Sequence, residues 1–227
     1  LHPYILLNYQ GKVRDVMTLA HELGHGVHQV LAGKQGLLLS ETPLTMAETA
    51  SVFGEMLVFR NLFDQSNKQS KKEMLAHKVE DMLNTVARQI GFHQFEIEFH
   101  KARINGELTT DEISDIWIKT QKHAVGPFVK LDEQYRYLWS YIPHFVHTPF
   151  YVYAYAFGDC LVNSLWDEYQ NSNKLNFSKK YIDLLSLGGS KRHNELLKPF
   201  GLSAYDKNFW NKGIKSITNM IEELENI

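Results

Sequence analysis

The residues best suited to chemistry lie early in the chain. The run DVMTLAHELGHGVHQ, residues 15–29, sets His21, Glu22, His25 and His28 on one apolar background. His21-Glu22-Leu23-Gly24-His25 is an H-E-x-x-H motif. On a helix, residues i and i+4 share a face and sit about 6 Å apart, so two imidazoles can grip one Zn²⁺ from the same side. Glu22 lies about 100° round the helix from His21, within reach of a water on the metal without being a ligand. In a chain with 11 histidines, the three fixed positions can also match by chance. The competing reading is a helix with stray histidines. A catalytic zinc also needs a third protein ligand and an open position. PLTMAETASVFGEML, residues 43–57, offers Glu48 and Glu55 amid apolar residues, seven apart and so on one helical face. Carboxylates in apolar surroundings are rare unless paired or metal-bound. One ligand and one supporting partner fit this pair.

The elements that must position these side chains are mostly helical. Val16, Leu19, Ala20, Leu23, Val27 and Val30 recur at helical spacing and predict a helix from Val13 to about Leu31. Gly24 within it lets another segment pack close. Breakers at Gly33, Gly36 and Pro43 predict a loop over 32–44, then a helix from about Leu44 to Phe63. A long helix is expected over about 72–104, after a solvated charge run at 68–73. Asn105-Gly106 ends it, and the next helix opens with Thr110 and Asp111 as cap candidates. Pro143 and Pro149 bracket a loop, a helix resumes from Phe150, and the remainder is helical with turns at Gly188-Gly189 and Gly201. Ahead of the metal helix, YILLNY, residues 4–9, reads as a short β-strand. A peptide could add to its free edge, or the strand could pair only within the protein.

The totals bound the class. The chain has 227 residues, 44% of them hydrophobic and 22% charged, with 24 Lys and Arg against 26 Asp and Glu. It is long enough for a real core and suits a single domain over 1–227. The charge balance gives no electrostatic case for nucleic acid or an anionic membrane. No apolar run approaches the roughly 18–20 residues that span a bilayer, and no signal peptide is visible. The single cysteine, Cys160, cannot form an intrachain disulfide and reads as a small buried hydrophobe in a reducing, cytoplasmic setting. The chain starts abruptly at Leu1, as a piece of something longer would.

DVMTLAHELGH followed by ETPLTMAETASVFGE resembles peptidase family M3, and within it the oligoendopeptidase F branch. IPHFVHTPFYVYAYAFG and LLSLGGSKRHNELLKPFGLS extend the resemblance in order along nearly the whole chain. His193 departs from it, standing where a proline is expected. The resemblance implies a mainly α, zincin-type catalytic domain, the C-terminal part of a longer peptidase that hydrolyses short oligopeptides with one Zn²⁺ per chain. It implies His21, His25 and Glu48 as the metal ligands and Glu22 as the general base. It implies His144 as a contact to substrate or transition state, and Tyr153, then Tyr151, as the oxyanion donor. A tyrosine hydroxyl or imidazole N–H so aimed supplies roughly 3 kcal/mol in other enzymes. Two alternatives stand beside this: a zinc- or peptide-binding fragment that is catalytically silent alone, and a related zinc carboxypeptidase.

Several residues keep two readings. His28 is a core histidine or a group behind the metal, and His147 is a site residue or a solvated loop histidine. Glu55 and Asp15 are rival partners for a ligand histidine's second ring nitrogen. Tyr151, Tyr153 and Tyr155 cannot all face one side of a helix, so at least one is ordinary packing.

Overall fold

The computed structural model describes residues 2–227. Its helices are α1 (Val13–Ala32), α2 (Leu44–Ala47), α3 (Thr49–Gln65), α4 (Lys68–Leu83), α5 (Gln89–Arg103), α6 (Thr110–Val125), α7 (His144–His147), α8 (Tyr153–Asn171), α9 (Lys174–Ser186), α10 (His193–Leu197) and α11 (Lys207–Glu225). None is long and apolar enough to cross a membrane. The described residues divide into two compact units, residues 2–80 with 158–227, and residues 81–157.

The first unit is built round α3. Phe53, Met56, Phe59 and Phe63 of α3 are buried, as are Leu161, Val162 and Leu165 of α8 and Phe177 and Leu184 of α9. Phe53 stacks on Phe177 at 5.7 Å between ring centroids and meets Tyr181 at 4.7 Å. Each such ring removed from water contributes on the order of 2–3 kcal/mol. Cys160 is buried, its thiol pushed up to about 12 by burial and by nearby Asp159. It packs where α11 crosses α8, at a glycine: a Cβ on Gly213 would lie 2.9 Å from the Cys160 carbonyl oxygen.

The second unit packs α5 on α6 round Phe92, Phe95, Trp117 and Val152, with Phe145 and Trp139 against them. The indole N–H of Trp117 donates to the Tyr135 carbonyl at 2.8 Å, so the largest ring in this core buries no unmatched donor.

The structure corrects the expected strand. Residues 2–10 are irregular, and among the described residues there is no β-strand. Tyr4 and Leu6 are exposed, at 85% and 97%. A strand exists only by pairing its backbone, and this chain presents no partner here.

Smaller departures have local causes. The helix expected over 44–63 is broken at Glu48, whose φ of −87° and ψ of 3° separate α2 from α3. The long helix runs from α4 to α5 through a π-helical stretch, Asn84–Arg88. The cap of α6 is Thr109, one residue early. Its N–H donates to Glu112 at 2.7 Å, and its hydroxyl accepts from the Glu112 N–H, a reciprocal capping box. α8 starts at Tyr153 rather than Phe150, because Phe150 adopts a left-handed φ of 61°.

Candidate metal centre

α1 and α3 cross at two glycines. A Cβ on Gly24 would lie 2.5 Å from both the Ala50 carbonyl oxygen and the Ser51 Cα, and one on Gly54 would lie 3.2 Å from the Ala20 carbonyl oxygen. Glycine at 24, inside the H-E-x-x-H motif, is therefore what lets α3 approach the metal face of α1. The start of α3 is fixed from behind, where the buried Tyr181 hydroxyl donates to the Thr49 carbonyl at 2.7 Å.

This crossing delivers Glu48 to the two histidines. His21 Nε2 and His25 Nε2 are 3.0 Å apart, and Glu48 Oε2 lies 3.3 Å from the first and 3.4 Å from the second. Among the described residues this is the one trio of His, Cys, Asp or Glu donors that converges as a metal site would require. Ligands held tetrahedrally at about 2.0–2.1 Å from zinc are separated by about 3.3 Å from one another. The observed triangle matches that spacing. Glu48 sits in the bridge region of backbone space, at the break between α2 and α3, where active-site residues recur. Ser51 Oγ donates to Glu48 Oε2 at 2.6 Å and orients it. Gly158 of α8 leaves room for it, since a Cβ there would meet the Glu48 Cβ at 3.3 Å.

The tautomer also fits. His21 Nδ1 is 2.5 Å from Glu55 Oε1. A carboxylate only accepts, so in the neutral ring Nδ1 carries the proton and Nε2 presents its lone pair to the trio. Glu55 thus takes the partner role. Asp15 does not: it accepts from the backbone N–H of Lys12 and Gln10 and closes the start of α1, and those hydrogen bonds hold its carboxyl below the usual range.

The electrostatics favour a cation. Burial acts against charge on His21, but Glu55, Glu48 and Glu22 outweigh it and raise its pKa. Burial would raise Glu48, yet hydrogen bonds from His25 and Ser51 bring it down to about 2. Two imidazole nitrogens and an ionised carboxylate oxygen held this close repel one another unless a proton or a metal ion lies among them. The residues fit a divalent metal. Glu22 is half-buried on the same helix, one residue after His21.

His28 is core. It is 5% exposed, its Nε2 lies 3.3 Å from Thr42 Oγ1, and burial, with help from His25, lowers its pKa to about 4.

The remaining predicted residues belong to the second unit. His144 opens α7, and its Nε2 lies 3.2 Å from the Tyr155 hydroxyl. The Tyr151 ring sits 5.1 Å from that of His144 and 5.3 Å from that of Tyr155. Tyr153 instead packs its ring on His93 at 5.4 Å. His147 ends α7. The sequence reading missed Tyr155 as the partner of His144; the spacing of 11 residues across Pro149 gave no signal for it. It also missed Gly158, which meets Glu48 only in three dimensions.

The model of the family described as peptidase family M3 matches residues 1–216. Oligoendopeptidase F (chromosomal) of Lactococcus lactis subsp. cremoris is 26% identical over 227 residues, covering 99% of this chain and 37% of that protein. The crystal structure of oligoendopeptidase-F from Enterococcus faecium aligns with a TM-score of 0.79 at 25% identity, over 94% of this chain and 39% of that one. A Chlamydophila abortus crystal structure, described as a proposed peptidase, aligns with a TM-score of 0.85 at 31% identity, over 100% of this chain and 38% of that one. The chain therefore spans a little over a third of the length of the curated relatives it matches.

Proposed function

The chain belongs to peptidase family M3, and from that premise we propose that it forms the catalytic part of a zinc-dependent endopeptidase that cuts internal bonds of short oligopeptides. The observation that carries the reading is the triangle of His21 Nε2, His25 Nε2 and Glu48 Oε2, with sides of 3.0 to 3.4 Å. The relatives' designation as oligoendopeptidases supplies the substrate class.

In this reading His21, His25 and Glu48 hold the metal. A zinc ion held there supplies Lewis acidity to a water and to the scissile carbonyl. Glu22 takes the proton of the attacking water and returns it to the leaving amine. Glu55 keeps His21 in the tautomer and orientation that present Nε2. His144 is the proposed contact to substrate or transition state. Of the two candidate oxyanion donors, Tyr151 is favoured over Tyr153, because its ring lies beside His144 while Tyr153 packs on His93.

The test is cleavage of an internally quenched peptide blocked at both ends, by the zinc-loaded chain. Cleavage is expected, abolished by Glu22→Gln with the metal retained. Release of single C-terminal residues, or no turnover by folded and zinc-loaded chain, would overturn the proposal.

A further inference from the structure

Behind the ligand histidine lies a group of charges that the proposed mechanism does not use. Glu55 divides its two oxygens. Oε1 accepts from His21 Nδ1, and Oε2 lies 3.6 Å from Lys78 Nζ. Lys78 comes from α4, whose other lysines are Lys68, Lys71 and Lys72 at its start. It is the lysine of that helix beside Val79 and one turn from Leu75 and Met82, all three buried. Its side chain is only 12% exposed. Lysine is almost never buried unless its charge is met, and here two carboxylates meet it. One is Glu55. The other is Asp159 of α8, which feels the Lys78 charge and accepts from Asn163 Nδ2 at 2.8 Å. Lys78, Glu55, Asp159 and Asn163 all belong to the first unit.

A carboxylate that must hold an imidazole in one orientation needs its own torsion fixed. Glu55 has three side-chain torsions, and one hydrogen bond through Oε1 leaves the carboxylate free to swing about it. A cation at Oε2 removes that freedom. At 3.6 Å the contact is a charge pairing rather than a direct hydrogen bond. Lys78 also exerts its charge on Asp159. Without that cation, nothing would hold Oε2, and the carboxylate could turn away from His21 Nδ1.

We propose that Lys78 is a positioning residue of the metal centre, acting on the metal only through Glu55 and its hold on His21. This rests on the metal-binding reading above and extends it one residue further from the metal. The bland alternative is a staple between α3 and α4 that stabilises the fold and has no bearing on the metal.

The experiment is zinc affinity, read by competition with a chromophoric chelator, together with thermal unfolding of the metal-free chain. It compares wild type, Lys78→Met, Lys78→Arg, Glu55→Gln, and Lys78→Met combined with Glu55→Gln. Lys78→Met is expected to weaken zinc about tenfold, the range in which partners behind a ligand act. Lys78→Arg should restore most of that loss. In the Glu55→Gln background, Lys78→Met should change affinity less than about twofold, because the route through Glu55 is already cut. Unchanged affinity in Lys78→Met, or an equal loss in both backgrounds, would overturn the proposal. If Lys78→Met does not fold, Lys78→Gln replaces it with the same expected outcomes. Wild-type chain that binds no zinc would instead overturn the metal reading itself, and this inference with it.

Discussion

The α1–α3 crossing and the α5–α6 core treat buried polar atoms in opposite ways. At the crossing, polar groups are linked in sequence: Ser51 to Glu48, Glu48 to both histidines, His21 to Glu55, Glu55 to Lys78. In the α5–α6 core, Gln89 Oε1, His93 Nδ1, Glu96 Oε2 and Gln121 Oε1 are buried without a hydrogen-bond partner among the described residues. Three of these lie on one face of α5, at 89, 93 and 96. Glu96 spends its other oxygen on the Phe150 N–H, at 2.6 Å, and so holds the left-handed residue just before α8. Burial raises the Glu96 pKa despite that bond and the neighbouring histidines. An unmatched buried polar atom costs about 1–3 kcal/mol. One region is thus organised to fix charged groups, and the other tolerates unmatched ones beside a large aromatic core. The difference teaches that precision here is concentrated where a metal would bind.

Three substitutions probe that contrast, in falling order of effect. Gly24→Ala places a methyl 2.5 Å from the backbone of α3. It should cost about 1–3 kcal/mol as an overpacked contact and weaken zinc binding by moving Glu48 and Glu55 together. Urea unfolding and chelator competition measure both. A loss of stability with unchanged zinc affinity would mean that the crossing does not set the ligands.

Asp159→Asn gives the pH test. Burial raises the Asp159 carboxyl to about 6 from 3.8, against the pull of Lys78 and Asn163. The folded state then holds its proton more tightly than the unfolded state, so this group's contribution to stability falls as pH rises through that window. Relative to wild type, Asp159→Asn should show no gain below about pH 4 and a gain on the order of 2 kcal/mol above about pH 6. Denaturant titrations at pH 4, 5, 6 and 7 read the difference. A gain independent of pH would contradict it.

Gln121→Met removes the unmatched Gln121 oxygen from a site that is fully buried. Replacing a buried amide by an apolar chain of similar volume should be neutral or stabilising by up to about 1 kcal/mol. A loss above about 1 kcal/mol in thermal unfolding would show that the amide is matched after all.

The sequence made the centre legible wherever its logic is local. The i, i+4 histidines keep their spacing, because α1 preserves it whatever packs on that helix. Gly24 was readable for the same reason. The break at Glu48 was not: Ala47, Ala50 and Phe53 keep helical spacing straight across it. Lys78 and Gly158 were invisible because their roles depend on helices meeting across long stretches of chain. Tyr4, Ile5 and Tyr9 carry strand propensity, yet propensity cannot supply a pairing partner. Tyr151 and Tyr153 were not separable until the start of α8 at Tyr153 left Tyr151 outside that helix.

The central claim is that His21, His25 and Glu48 hold one metal ion. The most direct test is zinc per purified, zinc-exposed and dialysed chain, measured for wild type and Glu48→Ala. Close to one zinc per wild-type chain is expected, mostly lost in Glu48→Ala while the helical circular dichroism is unchanged. Folded wild-type chain that retains no zinc, or Glu48→Ala that retains it as tightly as wild type, would contradict the claim.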